Sequence, residues 1–92
     1  MYKIIFLPEA IIDMQNAYEW YEKQKTGLGY AFLEEVNICI HKLCYHPEYY
    51  SYINHIYRRI KTNHFPYLVI YEIENNTIFV NSVKHGMSNL KF

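Results

Sequence analysis

The pattern of apolar positions changes its period once along the chain, from helical to strand-like, and so predicts an order of elements. Residues 2–7 form an apolar run of strand length that ends at Pro8, a residue suited to the first turn of a helix. From Glu9 to about Lys25 apolar residues recur every three or four positions, which predicts a helix with one buried face. That face comprises Ile11, Met14, Tyr18 and Tyr21, flanked by Ala10 and Ala17.

A second helix is predicted from about Leu28 to Tyr45. Gly27 and Gly29 stand where the chain must end one helix and reverse, so the two helices form a hairpin. Pro47 disfavours helical geometry at His46 and ends the second helix there. Its apolar stripe consists of Phe32, Val36, Cys39, Ile40 and Leu43, with Glu34, Glu35 and Lys42 pointing elsewhere.

The last part of the chain is rich in β-branched and aromatic residues, which favour strands. Three runs, Ile53–Thr62, Phe65–Ile73 and Thr77–Lys84, are separated by short asparagine-containing breaks and predict an antiparallel meander. Tyr67–Tyr71 is apolar on both faces, as in a central strand. The first strand must join this sheet, because an isolated strand cannot satisfy its own backbone. We therefore predict an α+β fold of order β-α-α-β-β-β, a two-helix hairpin packed on an antiparallel sheet.

Composition narrows the class of protein. Ninety-two residues suffice for one core, so we expect a single domain over residues 1–92. Hydrophobic residues make up 51% of the chain and charged residues 20%, which argues against a disordered protein. A net charge of zero argues against binding nucleic acid by bulk electrostatics. The eleven tyrosines serve either core packing or an interface. The first apolar run is too short to span a membrane, and we expect a cytoplasmic location.

The cysteines and histidines give no sign of a disulfide or a metal centre. Cys39 and Cys44 lie five residues apart in one predicted helix, where their side chains cannot meet, so we expect reduced thiols. Together with His41 and His46 they lack the paired spacing of a zinc site. The chain also has no GxGxxG, P-loop or GxSxG motif, and we expect no cofactor.

The predicted strand Ile53–Thr62 carries a short basic and aromatic strip on one face. Alternation places Tyr57, Arg59 and Lys61 on one face, where they could contact nucleic acid or an acidic peptide, or form a solvated surface. The opposite face carries Ile56, Arg58 and Ile60. Arg58 therefore needs a partner, either a helix carboxylate in a structural ion pair or a bound anion.

His85 follows the last strand and is the other candidate for chemistry. An imidazole at a strand end can act as a general acid or base if a reacting group lies within hydrogen-bond reach. A surface histidine or one with a structural hydrogen bond is the alternative interpretation.

Several short stretches, taken in order, resemble the RelE/ParE superfamily of bacterial toxins. The resemblance covers nearly the whole chain. It rests on Pro8-Glu9-Ala10, Trp20-Tyr21-Glu22, Gly27-Leu28-Gly29, Phe32-Leu33-Glu34, His46-Pro47, Arg58-Arg59, Phe65-Pro66-Tyr67 through Tyr71, and His85.

The resemblance implies the toxin of a type II toxin-antitoxin system, which a cognate antitoxin wraps and neutralises in a hetero-oligomer. ParE-like members inhibit DNA gyrase, whereas RelE-like members cleave messenger RNA on the ribosome without a metal. Arg58 and His85 match two positions of the ribonuclease site. Against that branch, Leu68 stands where many members carry arginine, and the tail ends in Lys91-Phe92 without a tyrosine.

Phe65-Pro66-Tyr67 is more reminiscent of ParE-like members. We therefore favour a ParE-like toxin that inhibits growth, with plasmid stabilisation as the associated role. Tyr57, Arg59, Lys61 and Tyr67 are the candidate residues for binding the target or the antitoxin. The alternatives are a RelE-like ribonuclease and an inactive or unrelated protein-binding module.

Overall fold

A computed structural model describes residues 1–87 and confirms the predicted order of elements. The elements are β1 Lys3–Phe6, α1 Pro8–Gln24, α2 Leu28–Tyr45, a 3-10 turn at Pro47–Tyr49, β2 Arg58–Lys61, β3 Tyr67–Glu74 and β4 Thr77–His85. The Lys91-Phe92 end of the chain lies outside the described residues. Within residues 1–87, neither helix has the length and apolar character needed to cross a membrane.

The four strands form one sheet in the order β1-β4-β3-β2. As predicted, β2, β3 and β4 form an antiparallel meander, β1 joins the sheet, and β3 is internal. However, β1 pairs with β4 in parallel, from Lys3 opposite Thr77 to Phe6 opposite Val80, so the sheet is mixed. The helical hairpin between β1 and β2 provides the long connection by which β1 reaches the far edge of the meander.

One face of the sheet packs against the helical hairpin to form the core. The predicted stripe of α2 is confirmed, because all five of its residues are buried. In α1 the buried residues are Ala10 and Ala17, two turns apart, whereas Ile11 is 51% exposed, and its predicted burial is wrong. Two alanines let the α1 backbone approach the sheet closely, and Ile11 lies one position beyond that contact line.

The turn between the helices depends on two glycines. Gly27 precedes α2 with φ of 91°, a left-handed conformation that side chains rarely adopt. A Cβ on Gly29 would lie 2.6 Å from the carbonyl oxygen of Tyr18, so the two helices approach too closely there for any larger residue. The Gly29 N–H donates to Glu22 Oε1 at 2.9 Å, which satisfies one of the unpaired donors at the start of α2.

The first strand of the meander is shorter than predicted. Residues 53–57 form a turn instead, closed by a hydrogen bond from Ile53 N to Tyr57 O. The Asn54 side chain accepts hydrogen bonds from the N–H groups of Ile56 and Tyr57, both at 2.8 Å, and so competes with strand pairing. Thus Ile56 is 54% exposed and does not share a strand face with Arg58 and Ile60, contrary to the prediction.

The second hairpin confirms its predicted break. Asn75, between β3 and β4, has φ of 56°, the positive value that tight hairpins require. The register of β3 against β4 shifts between Ile70 and Tyr71, as at a β-bulge. Tyr67 lies opposite His85, which places the end of β4 beside the start of β3.

Candidate functional site

Arg58 is fully engaged with a neighbouring loop. Its Nη1 donates to the backbone carbonyls of Glu48 at 2.9 Å and Tyr50 at 2.8 Å. Its Nη2 donates to the Tyr52 hydroxyl at 2.8 Å, and the guanidinium lies 3.9 Å from the centre of the Tyr52 ring. The expected ion pair with a helix carboxylate is therefore wrong. Arg58 holds loop carbonyls, which a positive planar donor satisfies well.

Tyr71 holds the same loop from the next strand. Arg58 and Tyr71 are register partners on β2 and β3, so their side chains leave the same face of the sheet. The fully buried Tyr71 donates its hydroxyl to the Pro47 carbonyl at 2.5 Å. Burial raises the pKa of Tyr71, although the nearby Arg58 acts in the opposite direction, so the phenol stays a donor. The two side chains together pin residues 47–52 to the sheet.

The strand register places Arg58 and His85 at different parts of the sheet. Arg58 lies opposite Tyr71 and His85 lies opposite Tyr67, four residues earlier on β3. Four strand residues span about 13 Å, and β2 and β4 lie on opposite sides of β3. The Arg58 guanidinium also points to residues 48–52. The structure therefore does not assemble these two residues into one site.

His85 lies in an open groove of about 440 Å³ between α1 and the end of β4. Trp20, Tyr21 and Tyr67 form its aromatic walls, and the rings of Tyr67 and His85 meet edge to face at 5.4 Å. His85 Nδ1 accepts a hydrogen bond from the Met87 N–H at 3.1 Å. One ring nitrogen is thus occupied by the backbone.

A carboxylate of α1 fixes one side of this groove. Asp13 accepts hydrogen bonds from Val83 N at 3.0 Å and from Lys84 Nζ at 3.2 Å. Lys84 also pairs with Glu9 at 3.1 Å. Burial lowers the pKa of Lys84, but the hydrogen bonds to Glu9 and Asp13 outweigh it and raise the pKa overall. This network joins α1 to β4 beyond the end of β1, and it engages the Lys84 ammonium group with two carboxylates.

The four residues predicted to bind a target or antitoxin do not share one surface. Arg59 and Lys61 are exposed, and both line a groove beside β2. Tyr67 faces the helices instead, with its ring 4.9 Å from that of Phe32. Tyr57 lies in the turn before β2 and is partly buried. The structure therefore brings together Arg59 and Lys61.

Sequence periodicity missed a contact between α2 and the β2–β3 turn. Glu35 Oε2 lies 2.5 Å from His64 Nδ1, and Glu35 Oε1 accepts hydrogen bonds from the N–H groups of His64 at 2.6 Å and Phe65 at 3.4 Å. Burial raises the pKa of Glu35, but these hydrogen bonds outweigh it and hold that pKa below its usual value. The helical period places Glu35 off the apolar stripe and predicts nothing more, because periodicity carries no information on partners 29 residues away.

The thiols are free in the structure. Cys39 is buried and Cys44 partly buried, and neither forms a disulfide. Burial raises the pKa of the Cys39 thiol, so it stays protonated at neutral pH. No group of three or more potential metal ligands occurs among residues 1–87.

Comparisons with known proteins find similarity over nearly the whole chain. A family model described as the ParE toxin of the type II toxin-antitoxin system, parDE, matches residues 4–90. No curated protein matches the chain in sequence. Among solved structures, a chain from "Chromosomal ParDE TA system from P. aeruginosa" is similar with a TM-score of 0.79, at 10% identity, over 92% of this chain and 96% of that one. That likeness confirms the α+β architecture.

Proposed function

Because the chain belongs to the ParE toxin family of type II toxin-antitoxin systems, we propose that it inhibits growth by binding a macromolecular target, DNA gyrase. The observation that carries this proposal is the extent of the family match, which runs from β1 through the end of β4 and beyond. The architecture shared with a chain of a ParDE system supports it.

The position of Arg58 supports inhibition by binding over ribonuclease catalysis. A ribonuclease of the related RelE type would use this arginine to stabilise charge on the scissile phosphate. Here its guanidinium already donates to three oxygen atoms of residues 48–52. Releasing it for a substrate would leave those acceptors without their donor, at a cost in stability.

We further propose that a cognate antitoxin neutralises this chain in a hetero-oligomer. The similar solved chain comes from a ParDE system. Exposed aromatic side chains, among them Trp20 at 57%, Tyr30 at 66% and Tyr49 at 82%, supply the kind of surface that protein interfaces favour. Tyr57, Arg59, Lys61 and Tyr67 remain the proposed binding residues, acting in the cytoplasm, with plasmid stabilisation as the biological role.

Inducible expression with separate measurements of translation and DNA integrity tests the proposal. We expect growth arrest with gyrase-linked DNA breakage, while incorporation of labelled amino acids continues at first. Purified gyrase should be inhibited by the purified chain. An immediate arrest of translation with cleaved transcripts would contradict the proposal and favour the ribonuclease. In that case, folded Arg58→Ala and His85→Ala variants should both lose toxicity.

A further inference from the structure

Three cationic side chains converge along the edge strand β2. Lys42 of α2, with Arg59 and Lys61 of β2, lines a groove of about 880 Å³. Lys42 and Lys61 also line the adjoining groove of about 450 Å³, which His64 and Glu35 border. Because the two lysines line both grooves, the grooves adjoin each other. We call this surface, defined by Lys42, Arg59, Lys61 and His64, the basic groove.

The charge of the basic groove is not balanced locally. Within residues 1–87 Lys84 forms ion pairs with Glu9 and Asp13, the His64 ring contacts Glu35, and no ion pair includes Lys42, Arg59 or Lys61. Glu35 is the acidic residue along these two walls, and it is already engaged with the β2–β3 turn. A cleft lined by one sign of charge concentrates the electrostatic potential. The groove is therefore positive on a chain of zero net charge.

Contacts between α2 and β2 hold the two walls in place. Cys39 Sγ donates to the Lys61 carbonyl at 3.6 Å, and Glu35 binds the turn that follows β2. Glu35, Cys39 and Lys42 recur at four and three positions, so they lie along one side of α2. The lysines thus extend from backbone whose spacing is fixed before any ligand binds.

An aromatic pair adjoins the cations. Tyr49 and Tyr50 line the larger part of the groove, with ring centroids 5.1 Å apart at an interplanar angle of 83°. Tyr49 is 82% exposed and so presents its ring to solvent beside the positive charges. Exposed aromatic rings beside a positive groove suit single-stranded nucleic acid, whose bases stack while its phosphates contact cations.

We propose that the basic groove binds a single strand of nucleic acid. Lys42, Arg59 and Lys61 contact its phosphates, and Tyr49 stacks on a base. Carboxylates of an acidic peptide would pair with the cations equally well. However, an acidic peptide offers no base to stack on the exposed Tyr49 ring. This binding goes beyond the proposed inhibition of gyrase, and it gives Arg59 and Lys61, already proposed to bind the target or the antitoxin, a second ligand.

Fluorescence anisotropy of the purified full chain with a labelled oligothymidylate of about 10 nucleotides tests the proposal. The groove variant carries Lys42→Gln, Arg59→Gln and Lys61→Gln. A matched control carries Lys3→Gln, Lys23→Gln and Lys25→Gln, three exposed lysines outside the groove, with the same loss of charge. Circular dichroism checks folding, and Lys42→Gln alone repeats the test if the groove variant does not fold.

We expect the groove variant to bind at least about tenfold more weakly, and its slope of log affinity against log salt to fall by about 2, since each phosphate contact contributes about 0.7. The control should change less than about threefold. Tyr49→Ala should weaken binding by at least about fivefold, and Tyr30→Ala, which removes an exposed ring elsewhere, should not.

Three outcomes would overturn the proposal. Equal losses of affinity in the groove and control variants would mean that the overall charge of the chain, and not a defined site, binds the oligonucleotide. Tighter binding of a charge-matched oligoglutamate would identify an acidic protein partner instead. Displacement by free inorganic phosphate at equal phosphate concentration would indicate a simple anion site. These outcomes are measured on oligonucleotide binding, whereas inhibition of gyrase is measured on the purified enzyme and on DNA breakage, so the two proposals fail separately.

Discussion

Arg58 and Arg59 are neighbours on β2, yet the two faces of this strand have different roles. The Arg58 side faces the helices and the loop 47–52, and its guanidinium donates three hydrogen bonds to oxygen atoms of that loop. Arg59 and Lys61 lie on the other face, which is exposed along a groove. Neither side chain forms an ion pair with residues 1–87. On this strand, the face that each arginine occupies determines whether it meets the acceptors of loop 47–52 or stays available to a partner.

The largest expected effect is on the Arg58 side. Arg58→Ala removes the donor for the carbonyls of Glu48 and Tyr50, and we expect the free energy of unfolding to fall by about 2–4 kcal/mol. Urea unfolding followed by circular dichroism measures it, with Arg59→Ala as the matched control. A loss no greater than that of the control would mean that the hydrogen bonds to the loop contribute little.

Tyr71→Phe tests the second attachment of the same loop. It removes the hydroxyl that donates to the Pro47 carbonyl, so we expect a loss of about 1–2 kcal/mol in the free energy of unfolding. Combined with Arg58→Ala in a double-mutant cycle, the two losses should not add, because both residues hold residues 47–52. Strict additivity would show that the two attachments act independently.

Glu35→Gln tests the contact that borders the basic groove. We expect the free energy of unfolding to fall by about 1 kcal/mol at neutral pH. The loss is small because the partner His64 side chain is largely exposed and solvent weakens its contact with Glu35. The pKa of Glu35 is lower in the folded chain than its ordinary value of 4.5. Its contribution is therefore present above about pH 4.5 and disappears as pH falls through the folded-state pKa.

Urea unfolding of both proteins between neutral and acidic pH measures this difference. The free energies of unfolding of the wild type and of Glu35→Gln should become equal as the pH falls. A difference that stays constant with pH would show that Glu35 acts without its charge. The neighbouring Glu34→Gln, at an exposed position of the same helix turn, serves as the control for the loss of one negative charge.

Local patterns predicted the helices well and the strand pairing less well. The α2 stripe follows a regular helical period, and all of its residues are buried as expected. The run at residues 53–57 has strand-like composition, but the Asn54 side chain binds the backbone that a strand would pair. Composition does not reveal this competition.

The candidate sites depend on contacts between distant residues, which periodicity does not encode. Arg58 needed a partner, as its place beside an apolar position implied, but the acceptors are carbonyls of an irregular loop. The Glu35–His64 contact spans 29 residues. The parallel pairing of β1 with β4 likewise follows from how the hairpin packs, which no local pattern specifies.

The double variant Arg59→Gln with Lys61→Gln tests most directly whether the exposed side of β2 carries the function. Neither side chain is paired within residues 1–87, so we expect the free energy of unfolding to stay within about 0.5 kcal/mol of wild type. In the same variant, inducible expression should no longer arrest growth or cause gyrase-linked DNA breakage, whereas Lys23→Gln with Lys25→Gln should remain toxic. A folded double variant with undiminished toxicity would contradict the account.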